Sequence, residues 1–152
     1  MDKTFKDLIE GLANKYESLV SMAPVTVDTV PSNAPKGGVY LFTENGQHMY
    51  AGRTKRRMKD RLAYHVSTAK DCPFAWRLAR EKTGQQASYK KSGSRDELLR
   101  DPGFKREYEA AKERIRRLEV RYVGEEDAVK QALLEIYVAV VSGALHNDFD
   151  TH

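Results

Sequence analysis

The sequence predicts an α+β domain in which a small three-stranded antiparallel sheet, a hairpin plus one later strand, is flanked by helices. Two short runs rich in Val, Tyr and Phe, Val39–Thr43 and Gln47–Ala51, flank the turn-forming dipeptide Asn45-Gly46 and read as the hairpin. A third run, Leu118–Val123, alternates with the period of two expected of a half-buried strand. Most other patterned stretches recur at steps of three and four residues, as helices do.

Taken in order, Phe5, Leu8, Ile9, Leu12, Tyr16, Leu19 and Val20 predict one amphipathic helix over Asp2–Val20. Met22–Lys36 contains Pro24, Pro31 and Pro35 and reads as an extended connector. After the hairpin, Thr54 stands where an N-cap would open a helix through about Ala69, with Met58, Leu62 and Val66 on its apolar stripe. Pro73 opens a helix over Phe74–Lys82 that Gly84 closes. Gln85–Ser94, with Lys90 and Lys91, reads as a polar loop. Ser94-Arg95-Asp96-Glu97 has the capping-box pattern of a short helix, and Asp101-Pro102 starts a long charged one that buries Phe104, Tyr108, Ala111 and Ile115. After the last strand, Glu125-Glu126-Asp127 places acids at the positive end of a final helix running to about Ser142.

Length and composition bound the function. A chain of 152 residues suits a single core, here divided into residues 1–36, a helix and connector, and residues 37–152, the main domain. The longest nearly uncharged run, Ile136–Asn147, is shorter than the roughly 20 apolar residues a bilayer span needs. Cys72 is the sole cysteine, so no internal disulfide can form and a cytoplasmic location is expected. One cysteine and four scattered histidines offer no zinc cluster. Charge is unevenly spread: residues 37–121 carry 21 Lys/Arg against 11 acids, whereas residues 122–152 carry one Lys and six acids. A basic middle points to a polyanionic partner, because phosphate neutralisation supplies most non-specific nucleic-acid affinity. A solvated helix face rich in ion pairs is the plainer alternative.

Chemistry concentrates after the hairpin. Gly38-Val39-Tyr40 and Tyr50-Ala51-Gly52 flank the turn, and the basic stretch Arg53–Arg61 follows, with His65 four residues beyond Arg61. A two-residue turn with regular pairing would set Tyr40 and Tyr50 on opposite sheet faces. A three-residue loop pairs Thr43 with Gln47, sets Tyr40 across from Tyr50, and puts Phe42 and His48 on the same face. A site using both tyrosines requires the second register, which is the expectation adopted. Arg57, Arg61 and His65 are spaced by four, so a helix would line them on one face. Arg61 offers a planar fork for phosphate oxygens, and His65 could donate to the same phosphate or polarise a water. Glu135 interrupts the apolar run Ala132–Val141, where a half-buried carboxylate requires an arginine or a cation. A cation held by one carboxylate, a phosphate and water has the character of Mg²⁺.

The paired triplets resemble the motifs of the GIY-YIG nuclease family, with Val39 and Ala51 at the central positions. The resemblance continues in order through Tyr40, Tyr50, Arg61, His65, Glu135 and Asn147 and covers residues 37 to about 148. Residues 1–36 and the insertion carrying Phe74–Gly84, Lys90 and Lys91 depart from the minimal family domain. The resemblance implies a metal-dependent endonuclease that hydrolyses phosphodiesters, with DNA the expected target. It implies Tyr40 as general base, Tyr50 orienting water or phosphate, and Arg61 holding the scissile phosphate with His65 nearby. Glu135 would bind one Mg²⁺ or Mn²⁺, and Asn147 would brace the site. Arg53, Lys55, Arg57, Lys90 and Lys91 are the expected nucleic-acid contacts, and residues 1–36 could cover their own core or pair with a second subunit as a homodimer. Two other classes fit the charge: a catalytically silent nucleic-acid-binding module of the same fold, and an interaction protein that presents its basic face to an acidic partner.

Overall fold

The computed structural model describes residues 1–85 and 94–149. In chain order it contains α1 (Lys3–Ile9), α2 (Leu12–Ser21), β1 (Lys36–Glu44), β2 (Gln47–Arg57), α3 (Met58–Tyr64) and α4 (Pro73–Thr83). There follow α5 (Ser94–Arg100), α6 (Pro102–Arg116), β3 (Glu119–Gly124) and α7 (Ala128–Ser142). The strands form one antiparallel sheet in the order β2-β1-β3, so the expected α+β class and three-stranded sheet are present. The expected loop carrying Lys90 and Lys91 lies outside the described residues, apart from its ends at Gln85 and at Ser94, which opens α5.

Both faces of the sheet are covered, which is why Gly37–Thr43 is buried without alternation. Tyr40 and Phe42 face a large core with Phe74, Trp76, Tyr108 and Ile115, supplied by α4 and α6. Val39, Leu41 and Ala51 face a smaller core with Leu12, Leu19, Leu134 and Val138, supplied by α2 and α7. Each large apolar side chain buried in this way contributes about 1.5–3 kcal/mol. The N-terminal segment belongs to this packing. Leu19 is fully buried, and the Lys15 ammonium donates to the Gly124 carbonyl at 2.6 Å. The proline-containing connector is equally committed: Val25 and Val120 exchange backbone hydrogen bonds, and Val27 and Val30 enter the large core.

Three expectations are corrected. The single helix over Asp2–Val20 is two helices, because Gly11 adopts φ 90° and breaks the backbone between Ile9 and Leu12. Thr54 is not an N-cap. β2 runs on to Arg57, and α3 covers only Met58–Tyr64 instead of continuing to Ala69. The hairpin has neither of the two regular registers. Asn45 and Gly46, both at positive φ, form a two-residue turn that pairs Glu44 with Gln47, and Thr43 then pairs with His48. A bulge at Met49 shifts the register, so Phe42 pairs with Tyr50 and Tyr40 with Gly52. The later elements agree closely with expectation: Asp101 and Asp127 cap α6 and α7 through their carboxylates, and Gly84 closes α4 in the left-handed conformation. Among the described residues no helix is long and apolar enough to cross a membrane.

Candidate active site

The bulge brings the two tyrosines to one face by a different route from the one expected. Two-residue turns leave Tyr40 and Tyr50 on opposite faces if pairing is regular. The extra residue at Met49 restores the parity, and Tyr40, Phe42 and Tyr50 all pack toward the large core. Tyr40 therefore lies across from Gly52 instead of Tyr50. His48 leaves the Phe42 face and meets the Thr43 hydroxyl at 2.9 Å.

Gly52 is the seat of Tyr40. A Cβ at position 52 would come within 2.3 Å of the Tyr40 hydroxyl oxygen and 2.4 Å of its Cζ, so only glycine admits the ring. The triplet alone does not show this role, which depends on Tyr40 lying across from Gly52. The Tyr40 hydroxyl lies 2.6 Å from His65 Nε2 and accepts from Arg61 Nε at 3.3 Å. Tyr40 has no exposed surface, and burial outweighs the Arg61 guanidinium, pushing its pKa up to about 12. Tyr50 stacks flat on Phe74, with ring centroids 4.6 Å apart, and burial raises its pKa still further.

His65 corrects a second expectation. It is fully buried as the residue that caps α3, still in helical φ and ψ one turn after Arg61, so both side chains reach the Tyr40 hydroxyl. Burial first, then the Arg61 charge, holds its pKa down at about 3, so the ring is neutral at physiological pH. Its Nδ1 is buried without a hydrogen-bond partner. The imidazole tautomer sets which partner of the Tyr40–His65 bond donates: with the proton on Nε2 the ring donates to the phenol oxygen, and with it on Nδ1 the phenol donates to Nε2. His65 thus acts on Tyr40 and cannot itself touch a phosphate. Arg57 is likewise not on a helix face with Arg61. It ends β2, where Arg53, Lys55 and Arg57 are exposed at alternate positions of an edge strand. Arg56 and Arg61 flank the Tyr64 ring at 5.4 and 5.6 Å, a contact that the Arg61/Tyr64 helical spacing could have suggested.

Glu135 approaches from the other layer. It is on α7, half-buried, with Oε1 3.7 Å from Arg53 Nε on β2. Desolvation raises its pKa, while Arg53 and Arg61 pull it down, and its charge in turn raises both tyrosines. Glu135, Arg61, Tyr40 and Tyr50 are thus within electrostatic reach of one another around the β2 edge. Asn147 closes that edge: its Oδ1 accepts from the Ala51 amide and its Nδ2 donates to the Ala51 carbonyl, both at 2.8 Å. Leu145 and His146 donate to His48 and Met49, so the segment after α7 lies beside β2 and fixes the strand carrying Tyr50 and Gly52.

Among the described residues, no three His, Cys, Asp or Glu side chains converge. A closed protein cage is therefore not on offer. One partly dehydrated carboxylate, only loosely engaged by Arg53, suits Mg²⁺, which keeps most of its water and takes few protein ligands. No family model, no curated protein and no solved structure matches this chain.

Proposed function

We propose that the chain is a GIY-YIG-like, metal-dependent endonuclease that hydrolyses phosphodiester bonds in nucleic acid, with DNA the expected target. The observation that carries this reading is the Tyr40 hydroxyl, buried over Gly52 and gripped by Arg61 and His65, with Glu135 and the basic β2 edge beside it.

A tyrosine accepts a proton from water only as the phenolate. With the Tyr40 pKa at about 12, releasing its proton to solvent at pH 7 costs about 7 kcal/mol. Passing it to His65, whose pKa is about 3, would cost about 12 kcal/mol. His65 is therefore a donor to the developing phenolate, not its base. Tyr40 exposes no surface, so Arg61 must swing toward the phosphate as substrate binds, letting water reach the oxygen while its charge stays near. Its guanidinium then holds the phosphate oxygens and stabilises charge in the transition state. Glu135 would hold Mg²⁺ or Mn²⁺, which when bound supplies Lewis-acid stabilisation of the leaving oxygen. The water oxygen bonds to phosphorus as its proton passes to the Tyr40 phenolate, the bond to the leaving oxygen breaks and that oxygen takes a proton from solvent, while Tyr50 and Asn147 keep β2 in place.

The Glu135–Arg53 contact favours a second reading, a nucleic-acid-binding module of the same fold without turnover. Supercoiled plasmid incubated with purified protein, with Mg²⁺ or EDTA, separates the two. Nicking that requires the metal and is abolished in Tyr40→Phe and Glu135→Gln, with DNA binding retained, supports the nuclease. Salt-sensitive binding with no metal-dependent nicking supports the silent module, and no binding at all leaves the basic face to an acidic protein.

A further inference from the structure

A cavity of about 450 Å³ opens between α5, α6 and the loop after α3, and it shares no residue with the tyrosine site. Its wall brings together Lys70, Arg100, Lys105 and Lys112, against Asp96 and Glu109. On α6, Lys105, Glu109 and Lys112 recur at helical spacing, so one face of that helix is turned to the cavity. Lys112 is unusual among them, being only 4% exposed.

A buried ammonium requires compensation, and two of the three partners of Lys112 are neutral. It donates to the Ala69 carbonyl at 3.1 Å, and its Nζ lies 4.3 Å from the Tyr108 ring centroid. The carboxylate paired with it, Glu109 at 3.5 Å, belongs to a side chain 57% exposed and so is screened by water. A dehydrated cation with a weak counter-charge, facing a cavity with three further cations, is arranged to receive an anion from outside. The space is also too large for a lone ion. It falls within the roughly 300–1,000 Å³ typical of small-molecule sites, and Leu99 and Tyr108 add an apolar wall.

We infer that this cavity binds a phosphate-bearing ligand of nucleotide size, with Lys112 and the rim residues Arg100 and Lys105 on the phosphate. The inference does not depend on the proposed nuclease reaction. The nucleotide could be free or could be one unit of a nucleic-acid strand, and the chemistry of recognition is the same.

Trp76, the sole tryptophan, provides the readout: its ring centroid is 5.2 Å from that of Tyr108, and its indole nitrogen donates to the Lys70 carbonyl. Adenosine monophosphate and a short single-stranded oligonucleotide are each titrated against the full chain, the latter in an Arg61→Ala background that weakens the scissile site. A saturable fluorescence change is expected, with affinity about tenfold lower for inorganic phosphate and about tenfold lower in Arg100→Glu or Lys105→Glu. These rim residues are exposed, so both variants should melt like wild type; Lys112→Met, which could fail to fold, is avoided. Saturation by the monophosphate identifies a free nucleotide as sufficient, whereas saturation by the oligonucleotide alone assigns the site to a strand. No saturable change with either ligand up to about 10 mM, or titrations indifferent to both charge reversals, would overturn the inference.

Discussion

Acid should unfold this protein through His65. The unfolded chain takes up a proton at this position below 6.5, while the native state resists it until about 3. Between those values the unfolded state binds more protons, so native stability falls as pH falls, and the contribution is fully present only above 6.5. The full span corresponds to about 5 kcal/mol, of which about 3 kcal/mol is lost by pH 4. That is a large part of the 5–15 kcal/mol by which a domain is typically stable. The assay is urea denaturation followed by circular dichroism at intervals from pH 7 to pH 4, on wild type and His65→Gln. The glutamine amide can still donate to Tyr40 but does not titrate. Carboxylates such as Glu44 and Glu135 are common to both proteins, so the difference between the curves isolates position 65. Wild type should lose about 3 kcal/mol more than the variant over that range. Parallel curves would refute the buried, neutral histidine and with it the donor role assigned to it.

Three further outcomes test the site. Gly52→Ala should displace the Tyr40 ring, lowering stability by about 1–3 kcal/mol and abolishing nicking; thermal melting and the plasmid assay read both. Arg61→Lys should be nearly as slow as Arg61→Ala, about 10²–10³ below wild type in single-turnover cleavage, because the fork becomes one mobile contact. Arg57→Lys, at the end of β2, should change only the salt sensitivity of binding. Asn147→Ala removes both hydrogen bonds to Ala51 and should cost about 1–3 kcal/mol, with accelerated hydrogen exchange at the Ala51 amide.

What the sequence disclosed follows from the range of the forces involved. Caps and periodicities are local, so α4, α6, β3 and α7 could be read from Pro73, Asp101, the alternation at Leu118–Val123 and Asp127. The start of α3 could not. Thr54 has the chemistry of an N-cap, but its pairing with Gly38 across the sheet keeps it in β2. Spacing put His65 one turn after Arg61, but the burial of that turn against Tyr40 depends on packing between α3 and the sheet. The requirement of Glu135 for a partner was visible in its apolar neighbours. Its identity as Arg53 was not, since that contact joins α7 to a strand 82 positions earlier in the chain. The cation-lined cavity is not legible in the sequence for the same reason: Lys70, Arg100 and Lys112 come from three segments that only the fold assembles.

The bulge at Met49 also divides the hairpin mechanically. The tip obeys the demands of Asn45 and Gly46, whereas the base obeys the demands of Tyr40 on Gly52, and the spare residue absorbs the mismatch between the two counts. A change of twist at the tip should be taken up at this joint before it reaches the tyrosines. The tip is also tied separately, by the Glu44 carboxylate to Arg114 on α6. Changes of sequence or length around Asn45-Gly46 should therefore register as lost turn stability while the orientation of Tyr50 stays as it was. The tip should therefore accept a label or an inserted tag while Tyr40 and Tyr50 keep their places on the sheet face.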